Sequence, residues 1–472
     1  MSVSTVAGSE QELDALLSRI DEVDDRIACV CTPNPAARER ARALDAERSA
    51  GRLRGPLHGR PVLVKDNIDT ADLITTAGSL ALAGQPAPDR DATLVDRLHD
   101  AGMVILGKAN LSEWANIRDG ASTSGWSAYG GLTRNPYGLN RSAGGSSSGS
   151  GAAVAARLTP FSIGTETDGS ITSPAAFNGC VGFKPTVGLV PTEGVVPVAR
   201  SQDSPGPFAL TVADTAALLD VLAGNGAQLA SHAVPGRLEG KRIGVPRRDY
   251  WGYSAHADAA AERAVTLLAA QGATIVDNTD LDALSDFAGE DELTVILAEL
   301  RSGLARYLTT RSGDGPRTLE EVVGFNEAHA SEEMRHFGQS LFERSLAGPS
   351  DTSSEYAEAR ARCLKAARDD GIDAVLRTHD LDALVTPSYA PACPIDLVNP
   401  EAHSGSCTSP TAIAGYPLLT VPSGLAAGLP VAVSFWGTAH SEATLLEIGA
   451  GYEAARDRDA GPLPAPTFPD FV

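Results

Sequence analysis

Residues Ser142 to Ser170 read SAGGSSSGSGAAVAARLTPFSIGTETDGS. The first half, dominated by Gly and Ser, has the composition of a flexible linker. Yet a helix-like Ala152-Ala153-Val154-Ala155-Ala156 follows at once, and then the apolar strand Phe161-Ser162-Ile163-Gly164. A segment set tightly between two core elements is not a linker. Gly164 to Ile171 reads as the end of a strand, a turn of small residues and the start of a helix.

Outward from this stretch the same rhythm recurs. Toward the N-terminus, Pro61-Val62-Leu63-Val64 is a short apolar strand ending at Lys65, Ala92 to Ala101 is helical, and Met103 to Leu106 is a second strand. Earlier still, Leu13, Leu16, Leu17 and Ile20 follow helical spacing, and a helix after Pro35 carries Ala37, Ala41 and Leu44 on one side. Beyond Thr215, Lys241 to Val245 and Thr274 to Val276 read as strands around a helix over Asp258 to Ala270. Residues 282–380 are mainly helical and highly charged, and Leu381 to Thr386 returns to a core strand. The alternation predicts an α/β fold, one large mixed sheet covered by helices on both faces.

The composition bounds the function. The chain has 472 residues, 43% of them hydrophobic, which supplies a large core. With 38 basic and 60 acidic residues the net charge is −22. That balance argues against nucleic acid and anionic membrane partners, both of which call for a basic surface. Only five of the basic residues are lysines: Lys65, Lys108, Lys184, Lys241 and Lys365. MSVSTVAGSEQELD carries no secretory signal pattern, so a cytoplasmic location with reduced thiols is the expectation. Ala402 to Ser441 lacks Asp, Glu, Lys and Arg, but Pro410, Pro417, Pro422 and Pro430 interrupt it. Short buried strands joined by turns fit it better than a membrane span. The six cysteines show no metal spacing, and His329 and His336, around Glu332 and Glu333, miss H-E-x-x-H and read as a solvated helix face.

Three residues carry candidate chemistry. Ser170 sits where a small-residue turn exposes consecutive backbone N–H groups, which suit an oxyanion. A serine nucleophile needs a base. No histidine lies in a recognisable motif, and a buried lysine can serve if it loses its charge, whereas arginine cannot. Taken singly, however, Lys65 reads as a structural or surface lysine, Ser170 as a helix N-cap and Ser146 as turn filler. No rule of spacing links the three.

The linking comes from resemblance. GRPVLVKDNIDT around Lys65, the serine run from Ser142 to Ala156, and GTETDGSITSPAAFNGCVGFKPT from Gly164 to Thr186 together resemble the amidase signature family. PLHGRP before Lys65 and AGYPLLTVP around Tyr416 extend the likeness, which runs from about Asn34 to Tyr452. It implies a single amidase domain over 1–472, with a motif-bearing core at about 56–215 and a variable, mainly helical substrate side at about 280–380. It implies a serine amidohydrolase with a Ser–cis-Ser–Lys triad. Ser170 would be the nucleophile, Ser146, after a cis Gly145–Ser146 peptide, the proton relay, and Lys65 the base. The N–H groups of Thr167, Asp168, Gly169 and Ser170 would form the oxyanion hole. No metal or organic cofactor is implied. The expected partners are an amide substrate and at most a second copy, so that the protein is a monomer or homodimer.

The chain departs from the commonest family text. Ser148 and Asp168 replace glycines, and Glu166 stands where Asp is usual. These variants resemble a subgroup of bacterial peptide amidases, as do Asn110 to Asn116, Ser124 to Ser127 and Phe325 to Ala328. The resemblance points to hydrolysis of a peptide C-terminal amide with release of ammonia. The alternatives are another small or aryl amide, or the ammonia-supplying chain of an amidotransferase complex. The Asp168 side chain reads as a cap or a bond to a neighbouring loop rather than a specificity element. Trp126 and Tyr129 read equally as acyl-pocket walls or as core packing.

Overall fold

A computed structural model describes residues 8–472 apart from Asn225, Arg237, 286–288 and His403, and the side chain of Ser285 is not described. The reading of the N-terminus as free of a secretory signal rests on residues 1–14, of which 1–7 lie outside the described residues.

Eleven strands form one mixed sheet: β1 (Val30–Pro33), β2 (Pro61–Lys65), β3 (Val104–Ala109), β4 (Phe161–Glu166), β5 (Val181–Lys184), β6 (Ser204–Ala209), β7 (Arg242–Val245), β8 (Thr274–Asp277), β9 (Ala383–Pro387), β10 (Leu418–Ala426) and β11 (Leu429–Trp436). Their order is β1-β3-β2-β4-β6-β5-β10-β11-β9-β7-β8. β2 runs parallel to both β3 and β4. β4 to β11 through β6, β5 and β10 are antiparallel neighbours.

β2 shows why its residues form a central strand. All five are buried. Val62 and Val64 enter the core beneath the helices Thr93–Asp100, Val212–Ala223 and Glu442–Ala460. Leu63 points to the opposite face, with Leu13, Ile27, Ala41 and Leu44 of the helices Ser9–Ile27 and Ala37–Ser49. Side chains alternate at a period of two, so an unbroken apolar run is what a doubly covered strand requires. The sheet therefore has helices on both faces, as the alternation predicts.

The uncharged stretch 402–441 contains β10, β11 and, beyond the expected strands, a short helix Ser409–Ala414. Among the described residues no helix is long and apolar enough to cross a membrane.

The serine run joins a strand to the helix Ser148–Ala155, whose eight residues are all buried. Gly149 lets this helix touch the end of β3. A Cβ there would lie 2.6 Å from the carbonyl oxygens of Asn110 and Cys29. Those are backbone atoms, and they cannot swing aside. Gly149→Ala should cost ~1–3 kcal/mol, the range for overpacking. A lowered midpoint of thermal unfolding checks this, and an unchanged midpoint would refute it.

Candidate active site

Parallel pairing of β2 with β4 sets Val64 opposite Ile163. Just beyond this pair, the side chains of Lys65, which ends β2, and Thr165 on β4 meet. Lys65 is fully buried. Its Nζ lies 2.7 Å from Ser146 Oγ, 2.8 Å from Thr165 Oγ1 and 3.3 Å from the Thr165 carbonyl oxygen. Burial lowers its pKa from 10.5 to about 7, against the attraction of Asp203 and Glu166.

Ser146 follows a cis peptide to Gly145. Its carbonyl accepts from Ser112 N–H at 3.0 Å. The flanking serines hold the loop rather than merely filling it. Ser147 Oγ donates to the Thr165 carbonyl at 3.1 Å, and Ser147 N–H donates to the Ser170 carbonyl at 3.2 Å. Ser148 Oγ donates to the Gly144 carbonyl at 2.5 Å, which gives this departure from glycine a structural role.

After β4 the chain turns through Thr167, Asp168 and Gly169, whose φ is +79°. The backbone conformation favours glycine there, and a Cβ at this position would sit 2.3 Å from Tyr389 Oη and push that hydroxyl aside. Among the described residues, the backbone N–H groups of Thr167, Asp168, Gly169 and Ser170 have no acceptor in the protein. The next two N–H groups are taken. Ile171 and Thr172 donate to Glu166 Oε2 at 2.7 and 2.8 Å. Glu166 thus caps the helix Thr172–Asn178, leaving Ser170 free of that duty. Burial raises the Glu166 pKa, with Lys184 opposing.

Ser170 is 8% exposed. It opens into a cavity of about 210 Å³ that Gly145, Thr167 and Asp168 also line. Asn116, Val198, Ile296 and Tyr389 complete much of the wall, from segments distant in the chain. Sequence reading missed Val198, Ile296 and Tyr389, for nothing local marks them. A larger crevice of about 760 Å³, beside Asp69, Tyr307 and Arg311, contains none of Lys65, Ser146 or Ser170.

The Asp168 carboxylate bonds a neighbouring element. Its Oδ2 accepts from Ser409 Oγ at 2.8 Å, while its buried Oδ1 has no hydrogen-bond partner. Trp126 and Tyr129 do not line the cavity beside Ser170. Trp126 packs edge-on against His336 and Phe337, at 5.2 and 5.1 Å, and Tyr129 Oη lies 3.1 Å from Thr32 Oγ1. Trp126 is buried and Tyr129 half-buried. The reading of residues 329–336 as a solvated face needs correction: Glu333 is fully buried, and His336 has left the helix to meet Trp126.

Lys108 and Lys184 are also fully buried. Lys108 Nζ donates to the Ile68 carbonyl, to Thr70 Oγ1 and to Thr75 Oγ1, and it faces Asp66. Lys184 Nζ donates to the carbonyls of Tyr416 and Thr411. Both tie loops to strand ends. Among the described residues no group of three or more His, Cys, Asp or Glu is arranged to hold a metal ion.

Comparison with known proteins agrees with this geometry. The Amidase family model matches residues 11–446. The solved structure of the peptide amidase PAM with the competitive inhibitor chymostatin is 44% identical, with a TM-score of 0.90 over 97% of this chain and 96% of that one. A probable amidase of Arabidopsis thaliana is 36% identical over 95% of this chain and 86% of its own length. A glutamyl-tRNA(Gln) amidotransferase chain of Symbiobacterium thermophilum is 36% identical, with 93% of this chain and 92% of that one covered. The family match spans the strand end at Lys65, the serine loop and the turn before Ser170, and the fold agrees at a TM-score of 0.90: this chain belongs to the amidase family.

Proposed function

We propose that the protein hydrolyses a carboxamide through an acyl-enzyme, with Ser170 as nucleophile, Ser146 as relay and Lys65 as base. The observation that carries this is the buried contact of 2.7 Å between Lys65 Nζ and Ser146 Oγ, within reach of the turn that presents Ser170. A neutral amine has two N–H donors and one lone pair. The two oxygens of Thr165 take the donors, and the lone pair is left for the Ser146 hydroxyl proton. Ser146 then accepts the proton of Ser170 as Ser170 Oγ attacks the carbonyl carbon. The unpaired N–H groups from Thr167 to Ser170 receive the developing oxyanion. The proton returns through Ser146 to the leaving nitrogen, ammonia departs, and water cleaves the ester by the same relay.

Activity on this mechanism requires Lys65 without its proton. Below a pKa of about 7 the ammonium form dominates and the base is lost; above it the amine is ready. A pH profile of kcat/KM should therefore rise through about pH 7 and level off on the alkaline side. A profile that falls across this window would refute the base assignment.

For the substrate we propose the C-terminal amide of a peptide. The PAM likeness supports it, together with Asp168 and Ser148, which depart from the commoner glycines. The test is ammonia release across amidated peptides, free amino acid amides, aryl amides and glutamine. We expect kcat/KM for an amidated peptide at least ~10-fold above glutamine, a difference of ~1.4 kcal/mol in transition-state binding. Equal or better use of glutamine would overturn it.

A second reading, the ammonia-supplying chain of a larger complex, draws on the amidotransferase relatives. It predicts glutamine preference and a stable complex with unlike chains. Elution from size-exclusion of native lysate as a monomer or homodimer would count against it. A cytoplasmic location remains part of the proposal.

A further inference from the structure

The cavity beside Ser170 has one wall with an unusual backbone. Trp114, Ala115 and Asn116 have φ values of 50°, 55° and 73°. Three consecutive left-handed residues without a glycine persist only where the surroundings impose them. Ala115, Asn116 and Ile117 line the cavity, and the buried Asn116 Oδ1 has no partner in the protein.

The residues on either side of this wall are ion-paired to each other. Arg118 Nη1 lies 2.5 Å from Glu113 Oε1, closing the segment into a loop. The same nitrogen donates to the Glu333 carbonyl at 2.5 Å and lies 3.4 Å from Glu333 Oε2. All three side chains are fully buried. The guanidinium also rests on the Phe337 ring, 4.3 Å from its centre. The remaining carboxylate oxygens are tied down. Glu113 Oε2 accepts from Ala128 N–H, and Glu333 Oε1 accepts from Ser79 Oγ and Leu80 N–H. The backbone joins in, for the Arg118 carbonyl accepts from Leu341 and Phe342 N–H.

Two carboxylates thus share one guanidinium in the interior. Desolvation makes such a group a poor source of stability, and well-packed apolar groups of similar volume often replace it without loss. What the pairing does supply is position. It ties the segment 113–118, one wall of the cavity, to the charged helical part around Glu333. Lys65 and Ser170 are held separately, by β2 and by β4 with the turn after it. Among the described residues, the serine loop hydrogen-bonds to the segment only through Ser112, which precedes Glu113.

We propose that Arg118 is a positioning residue for substrate binding, holding Ala115–Ile117 against the cavity by bridging Glu113 and Glu333. The proposal rests on the reading of Ser170 as nucleophile, and the test separates the two.

The test compares wild type with the triple variant Arg118→Met, Glu113→Gln, Glu333→Gln, which removes all three charges together. KM and kcat are measured on an amidated peptide, alongside thermal unfolding and the rate at which a small fluorophosphonate labels Ser170. Expected is cooperative unfolding near the wild-type midpoint, a KM raised tenfold or more, and labelling within twofold of wild type. A folded triple variant with wild-type KM overturns the proposal. So does a labelling rate that falls in step with kcat/KM, since the pairing would then support the whole site and not this wall. If the triple variant does not fold, Arg118→Lys decides. It keeps the charge but loses the planar fork. A KM raised threefold or more supports the proposal, and a wild-type KM refutes it. Absence of labelling at Ser170 in the wild type would fault the nucleophile assignment instead.

Discussion

Ser170→Ala is expected to lower kcat for amide hydrolysis by ~10⁴-fold or more, the scale on which loss of a nucleophile acts in catalytic units of this kind. The reason is local. The hydroxyl is the atom that forms the ester, and no other serine shares its place. Ser146 and Ser147 are fully buried, and Ser173, which also lines the cavity, lies three residues further on, inside the helix that Glu166 caps. The fold should not notice. Ser170 Oγ makes no hydrogen bond among the described residues, and Glu166 rather than Ser170 caps that helix. The midpoint of thermal unfolding should therefore stay at the wild-type value while ammonia release falls by that factor. A variant that keeps wild-type turnover on the amides cleaved by wild type would sink the mechanism. Ser146→Ala should also lose most of its kcat, and since the oxyanion donors are backbone N–H groups, both variants keep them and a residual rate above the uncatalysed one is expected in each.

Lys65 is the more discriminating position. Lys65→Arg keeps a positive charge and much of the volume, yet should lose ~10²–10⁴-fold in kcat, the range for removal of a general base. A guanidinium does not give up its proton in a protein, so it offers Ser146 no lone pair. An active arginine variant would refute the assignment. Lys65→Met separates chemistry from folding. The lysine pKa is depressed in the folded chain, so folding must strip a proton from it at any pH between about 7 and 10.5. Methionine carries no such penalty. Lys65→Met should thus be inactive while unfolding at or above the wild-type midpoint at neutral pH. A sharp drop in stability would show that the contacts to Thr165 and Ser146 matter more to the fold than desolvation costs.

Much of the frame is legible in the sequence because apolar runs report burial directly. Pro61 to Val64 and Phe161 to Gly164 read as strands, and both lie in the sheet. What local patterning does not carry is the order of strands. Lys65 and Ser146 are 81 residues apart, and only the parallel pairing of β2 with β4 closes that distance. The family likeness supplies that missing geometry. It does not reach the cavity walls. Ile296 lies on an amphipathic helix with nothing to distinguish it from its apolar neighbours, and Tyr389 sits in a loop after β9. Glu333 shows the opposite failure. Its charged surroundings in Ala330-Ser331-Glu332-Glu333 suggest water, but its partner is an arginine 215 positions away, and long-range ion pairing leaves no periodic trace. Trp126 is open to two readings in the sequence because a large aromatic ring suits a substrate pocket and a core equally well.

The placement of the lysines has a practical side. Three of the five are sealed inside, and Lys241 is largely covered beside Glu447, with 21% of its side chain exposed. Lys365 alone stands well out, with 66% of its side chain exposed. Among the side-chain amines, Lys365 is therefore the most open to coupling reagents such as activated esters, although its pairing with Asp370 keeps it protonated. That residue belongs to the helical run Lys365–Ile372, which contributes nothing to the cavity beside Ser170. A label carried on Lys365 would therefore leave the walls of the cavity beside Ser170 unmodified.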